Sequence, residues 1–179
     1  GNFFNTYALQ WVLYATPLIP LTLFLVVVWY AIRFGLREPS KKTLFVLLWF
    51  LVPLLRVSVP RSGIYGGLRQ IMEFIPALAI LAGIGAKQLV SWKGIHLRRI
   101  LQAGVLVAFV PILLKIIQIH PNQNVYFNPL IGGLAGARQR NFSDWGVTLG
   151  STYKQGMDWL NEHAEPEAKL TLVKGLLSN

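Results

Sequence analysis

The sequence predicts an α-helical integral membrane protein, with about four transmembrane helices followed by a small extracytoplasmic α/β segment. Hydrophobic residues make up 54% of the 179 positions and charged residues only 13%. The mean hydropathy of +0.49 is typical of membrane proteins. The apolar residues also gather into four runs, with the basic residues placed largely between them.

The formal net charge of +10 has a topological explanation. Residues 1–119 carry 12 lysines and arginines against two acids, whereas residues 120–179 carry five of each kind. The basic excess therefore lies between apolar runs and leaves no soluble basic face, so we expect no nucleic-acid partner. The sequence has no cysteine, which excludes disulfides and thiolate metal sites, and we predict no metal ligand in this chain.

Four apolar runs are the predicted transmembrane spans, and they cover residues 7–32, 43–60, 71–86 and 100–119. A run of ~20 apolar residues is long enough to cross a hydrocarbon core of ~30 Å. Pro17 and Pro20 are expected to kink the first span or delay its first turns. Arg56 interrupts the second span and Glu73 lies near the start of the third. Their polar ends should therefore lie at the membrane interface.

The distribution of basic residues predicts the orientation of these spans. The loops 33–42 and 87–99 carry eight lysines and arginines, and both fall on one side of the membrane. The opposite side carries four, which are Arg56, Arg61, Arg69 and Lys115. By the positive-inside rule the first side is cytoplasmic. The loop 61–70 and the tail from residue 120 are then extracytoplasmic.

The four outer basic residues lie where topology disfavours them, and two interpretations remain open. In the first, they reach toward lipid headgroups while Arg69 and Glu73 form an i,i+4 ion pair on one helix. In the second, they form a basic pocket for the phosphate of an anionic lipid, which suits the planar fork of arginine. Gly63, Gly66 and Gly67 would let the backbone approach such a ligand closely, or are plain turn residues.

The tail, residues 120–179, begins as a loop rich in glycine, asparagine and proline. Its aromatic residues are typical of an interfacial belt or a lid on the membrane. Ser151 is expected to cap a helix over 151–164, and the alternation that follows predicts a strand at 169–173. One helix and one strand cannot bury a core, so we interpret this segment as the start of a small α/β domain that is cut short.

Three motifs occur in an order that resembles a known family. They are "YGGLRQIMEFIPALAILAGIG", "HPNQNVYFNPLIGG" and "FSDWGVTLGSTYKQGMDWLNEHA". They lie in order within residues 61–164 and resemble bacterial family-39-like glycosyltransferases of the GT-C fold, which implies a bacterial inner or plasma membrane. That resemblance implies a multi-span enzyme that moves a sugar from a polyprenyl-phosphate donor to an acceptor at the extracytoplasmic face.

The resemblance also implies roles for individual residues. Arg61 and Arg69 would contact the donor phosphate, with Tyr65 nearby, and Arg56 belongs to the same outer basic group. The acceptor or a lid would involve residues of the second and third motifs, namely Tyr126, Asn128, Asp144 and Trp145. The partners implied are membrane lipid, the polyprenyl-phosphate sugar donor and other membrane proteins.

The chain departs from the family pattern in one important respect. The family's catalytic acid lies in a first extracytoplasmic loop that this chain does not contain, so we assign no catalytic residue here. Any divalent metal would belong to that missing half. Gln70 stands where many relatives have histidine, and Glu73 where many have an apolar residue. We therefore expect the C-terminal part of an enzyme, with a non-catalytic subunit of a larger membrane complex as the alternative and a transporter as the third hypothesis.

Overall fold

The structure, a computed structural model, describes residues 4–34, 41–60, 62–63, 65–91, 94–147 and 150–169, in two units, 1–147 and 148–179. The helices of the first unit are α1 (Tyr7–Ala15), α2 (Leu18–Phe34), α3 (Lys41–Ser58), α4 (Phe74–Val90), α5 (Ile95–Ala108), α6 (Val110–Gln118) and α7 (Gly133–Gln139). The second unit contains α8 (Ser151–His163).

The fold is all-helical over these described ranges, which contain no strand. The α/β segment predicted for the tail is therefore not supported. Lys169 lies in neither a helix nor a strand, and the rest of the predicted strand, 170–173, lies outside the described residues. The expected helix begins at Ser151, but its N-cap position is Gly150, which adopts the left-handed φ of 86°.

The first predicted span, 7–32, is broken rather than continuous. α1 and α2 meet at an angle of 116°. Thr16 is extended, with a ψ of 132°, because Pro17 disfavours a helical conformation in the residue before it. Pro20 falls in the first turn of α2, where its missing N–H is not needed. One apolar run therefore gives two helices with different directions.

One helix among the described residues is long and apolar enough to cross a membrane. It is the combined α5–α6 helix, Ile95–Gln118, and the bent pair α1–α2 becomes a second if it is taken as one span. Pro111 accounts for the local break between α5 and α6. The third predicted span starts late, since residues 71–73 form a turn and α4 begins at Phe74. The four predicted spans are thus not all supported.

Helix α4 packs against both α2 and α3, and it buries Phe74, Ala77, Leu78, Leu81 and Ala82 between them. Ile71, Phe74 and Leu81 have at most 1% of their surface exposed. Gly85 sets the distance to α2, because a Cβ there would lie 1.9 Å from the carbonyl oxygen of Leu23. The two helices are therefore close enough that only glycine fits at this position.

Helix α1 contributes to two hydrophobic clusters at once. Ala8 and Val12 pack into the core formed by α3 and α4. Trp11 points to a second cluster, in which it meets Phe127 and Ile131 of the segment that follows α6. α1 therefore joins the helices of the first unit to the second motif.

Candidate functional site

The loop between α3 and α4, which carries Tyr65 and Arg69, is held by a carboxylate from a distant part of the chain. Asp144 Oδ2 accepts a hydrogen bond from the Gly66 N–H at 3.1 Å and another from the Tyr7 hydroxyl. The Tyr7 oxygen in turn accepts the Gly67 N–H at 2.9 Å. We call these four residues (Asp144, Tyr7, Gly66 and Gly67) the Asp144 clamp. It ties the first motif to the third through the first residue of α1.

The two glycines of the clamp are required by its backbone geometry. Gly66 and Gly67 have φ angles of 76° and 68°, in the left-handed region that side chains disfavour. A Cβ on Gly67 would also lie 3.0 Å from the Trp11 ring. Two successive left-handed residues direct both N–H groups toward the clamp. Gly66 and Gly67 therefore determine the backbone path of the loop. At Gly63, by contrast, an added Cβ would meet no described atom within 4 Å.

Arg69 lies at the exposed side of this loop. It belongs to a 3-10 turn, Gly67–Gln70, and its guanidinium has no hydrogen-bond or ion-pair partner among the described residues. Tyr65 is 61% exposed on the same loop. Arg61, the other residue implied for the donor phosphate, lies outside the described residues. Two members of the predicted phosphate group are thus open to a ligand from outside.

Arg56 is directed toward the same turn but is already paired. Its Nη2 donates to the Gln70 carbonyl oxygen at 2.7 Å and lies 3.4 Å from Glu73 Oε1. The expected ion pair between Arg69 and Glu73 is wrong, because residues 71–73 form a turn and the two residues do not share a helix. Arg56 therefore brings charge to the loop that Glu73 partly neutralises.

An apolar groove of ≈370 Å³ begins beside this loop. Its walls come from α2 and α4, with Leu23, Leu78 and Ala82 among the lining residues, and we call it the α2–α4 groove. Leu68, the neighbour of Arg69, also lines it. No charged side chain of the described part of the chain lines this groove. The α2–α4 groove is therefore next to Arg69, because Leu68 lines the groove and Arg69 is the following residue in the sequence.

The residues predicted for the acceptor or a lid have separate environments. Asn128 is fully buried; its side-chain nitrogen donates to the carbonyl oxygens of Leu13 and Thr16 at 2.7 and 2.8 Å. It therefore caps the carboxyl end of α1, and in this arrangement it does not face a ligand. Tyr126 is half-buried, and this burial raises the pKa of its hydroxyl.

The third motif supplies the clamp and an aromatic surface beside it. Asp144 has a φ of 60°, which carboxylate residues tolerate better than most. Trp145 follows it, with the Arg138 guanidinium 6.0 Å from its ring centre. Such cation–π contacts are attractive at this distance. Asp144 therefore contacts the loop that carries Arg69, through the hydrogen bonds that hold this loop.

Sequence reasoning did not identify the contribution of α1. Tyr7 completes the Asp144 clamp, and the Trp11 ring packs in a tilted orientation with its centroid 5.2 and 5.3 Å from those of Phe127 and Phe142. These two residues are four positions apart and therefore share a helix face. An aromatic i,i+4 pair at the start of a helix was the available signal. It was hidden because the whole run from residue 7 was interpreted as a membrane span.

Within the described ranges, no group of three or more histidine or acidic side chains is arranged to hold a metal ion. Comparison with known proteins does not show which family this chain belongs to. No protein-family model, curated protein or solved structure matches the chain.

Proposed function

We propose that this chain is part of a membrane glycosyltransferase that takes a sugar from a polyprenyl-phosphate donor and transfers it at the extracytoplasmic face. The observation that carries the proposal is the exposed and unpaired Arg69, which lies on a clamped loop next to the α2–α4 groove. A polyprenyl phosphate requires two binding features, which are an apolar groove for the polyprenyl chain and a cation for the phosphate. The three-motif resemblance supports the same function.

The mechanism assigns Arg69 to the leaving group. An acceptor hydroxyl attacks the anomeric carbon of the sugar, a base removes the hydroxyl proton, and the polyprenyl phosphate departs with the electrons of the broken C–O bond. Negative charge grows on the phosphate in this step, and the Arg69 guanidinium, carried on a loop whose backbone is already held in place, stabilises that charge. Arg61 and Tyr65 are proposed to act beside Arg69. The base is proposed to come from outside this chain.

The proposal includes a membrane arrangement. We place α2, α3, α4 and α5–α6 across a bacterial inner or plasma membrane, with the Asp144 clamp and the tail on the outer side. Helices of 17 and 18 residues span ~26 Å, close to the ~30 Å core. Large apolar side chains exposed on α3, such as Phe45 and Leu48, support contact with lipid.

A second candidate function is a non-catalytic subunit of a membrane complex. One observation favours it, because no residue of α5 or α6 is buried within the first unit. A partner subunit would cover the apolar side chains that α5 and α6 expose. Purification in mild detergent followed by cross-linking distinguishes the two. A stable partner protein together with absence of sugar transfer would favour this candidate.

The test of the leading proposal measures donor binding and sugar transfer by the protein purified from its membrane. Arg69→Ala should weaken binding of polyprenyl phosphate about 10- to 150-fold, because a hydrogen bond to a charged group contributes ~1.5–3 kcal/mol. Arg69→Lys should recover only part of this, since lysine lacks the planar fork. Arg98→Ala is the matched control, an exposed arginine at the start of α5. Unchanged donor binding in Arg69→Ala would refute the proposal.

A further inference from the structure

A second apolar groove lies on the other side of the start of α2. It has a volume of ≈560 Å³ and is bordered by the beginning of α2, by α6 and by the segment that follows α6. Leu18, Ile112 and Phe127 are among its lining residues. We call it the α6 groove. None of these three residues lines the α2–α4 groove, so the two are separate surfaces.

The α6 groove differs from the α2–α4 groove in its polar groups. Among the residues that the structure describes, Lys115 is the one charged residue that lines it, and no acidic side chain does so. Tyr126 also lines it. Neither side chain has a hydrogen-bond or ion-pair partner among the described residues. Two free donors, one of them cationic, therefore border an otherwise apolar surface.

The position of Lys115 along the membrane helix matches a headgroup layer. Arg99 and Lys115 are 16 residues apart on α5–α6, or ~24 Å along the axis. With Arg99 near one interface, the Lys115 ammonium reaches the other by extending its side chain. Since no residue of α5 or α6 is buried, a lipid can reach the groove laterally.

We propose that the α6 groove binds one anionic phospholipid of the surrounding bilayer. An acyl chain would lie along Leu18 and Ile112, and the phosphate would contact the Lys115 ammonium and the Tyr126 hydroxyl. Basic pockets beside membrane helices hold anionic headgroups in this way. The site differs from the proposed donor site in both groove and cation, and it does not depend on sugar transfer.

The test is native mass spectrometry of the purified protein in a neutral detergent, titrated with phosphatidylglycerol or phosphatidylcholine. The wild-type protein should retain one phosphatidylglycerol in preference to phosphatidylcholine. Lys115→Ala should weaken that binding at least about fivefold. Ala108→Trp should also weaken it, because Ala108 lines the groove and the larger ring fills it.

Two matched controls separate the groove from general effects. Lys87→Ala removes another exposed lysine, and Ala103→Trp places the same ring on an exposed position of α5 that does not line the groove. Both should bind phosphatidylglycerol like the wild type. Equal binding of the two phospholipids, or wild-type binding by Lys115→Ala, would overturn the proposal. So would displacement of the bound lipid by polyprenyl phosphate, since the groove would then hold the donor.

Discussion

The Asp144 clamp makes a quantitative prediction about the mobility of the arginine loop. Tyr7→Phe removes one hydroxyl that donates to Asp144 and accepts from Gly67. A hydrogen bond to a charged group contributes ~1.5–3 kcal/mol, so opening of the loop should become about 10- to 150-fold more frequent. The Gly67 N–H loses its acceptor, the Tyr7 hydroxyl, and should be the most affected amide.

Hydrogen-exchange mass spectrometry of peptides covering residues 62–70 measures this opening directly. Tyr126→Phe is the matched control, because it removes a tyrosine hydroxyl that does not touch the loop. Asp144→Asn should have a smaller effect than Tyr7→Phe. Asparagine tolerates the left-handed backbone and keeps one oxygen acceptor, so this change removes mainly the charge.

The combined variant tests whether the clamp is one network. Tyr7 and Asp144 share a hydrogen bond, so the effect of Tyr7→Phe with Asp144→Asn should be smaller than the sum of the two single effects. Strict additivity would show that the two residues act independently. Unchanged exchange in all three variants would refute the reasoning altogether, because the loop would then be held by other contacts.

Two further predictions concern packing around α1 and α4. Gly85→Ala should lower the thermal midpoint of the purified protein, because its Cβ would meet the Leu23 carbonyl at 1.9 Å. Gly83→Ala, in the same helix with nothing within 4 Å, should leave the midpoint unchanged or raise it, and equal behaviour of the two variants would contradict the close approach. Asn128→Leu should destabilise α1 by ~2–4 kcal/mol, because two carbonyl oxygens lose their donor. A denaturation midpoint like that of the wild type would show that these carbonyls find other partners.

Much of the helical character of this chain can be predicted from its sequence, whereas the directions of its helices cannot. Apolar runs in the sequence predict α2 to α6, because a helix with an apolar face requires such a run whatever it packs against. The apolar run from residue 7 predicts one span, because length and hydropathy do not report the angle between two helices. Pro17 carried the relevant information, and the distinction between a kink and a 116° turn depends on the packing of α1 against two clusters.

The same limit applies to the candidate site. Arg69 is conspicuous in the sequence because topology disfavours basic residues on the outer side, whereas Asp144 is named only through the resemblance of the third motif. The proximity of Arg69 and Asp144 cannot be predicted from the sequence, because 75 residues separate them and only the fold places Asp144 beside the Gly66 amide. The ion pair of Glu73 was predicted for the wrong arginine. Local spacing favoured Arg69, but the turn at 71–73 leaves Arg56 as the partner.

Helix α1 connects these observations physically. Its first residue closes the Asp144 clamp, its Trp11 ring packs against the second motif, and its last carbonyl groups are capped by Asn128. The three motifs that are separate in the sequence therefore depend on one short helix for their arrangement. A ligand that displaced the backbone at Arg69 would have to disrupt both the Asp144 clamp and the aromatic cluster around Trp11. The loop is accordingly pre-positioned, and the part of Arg69 that remains free is the side chain itself.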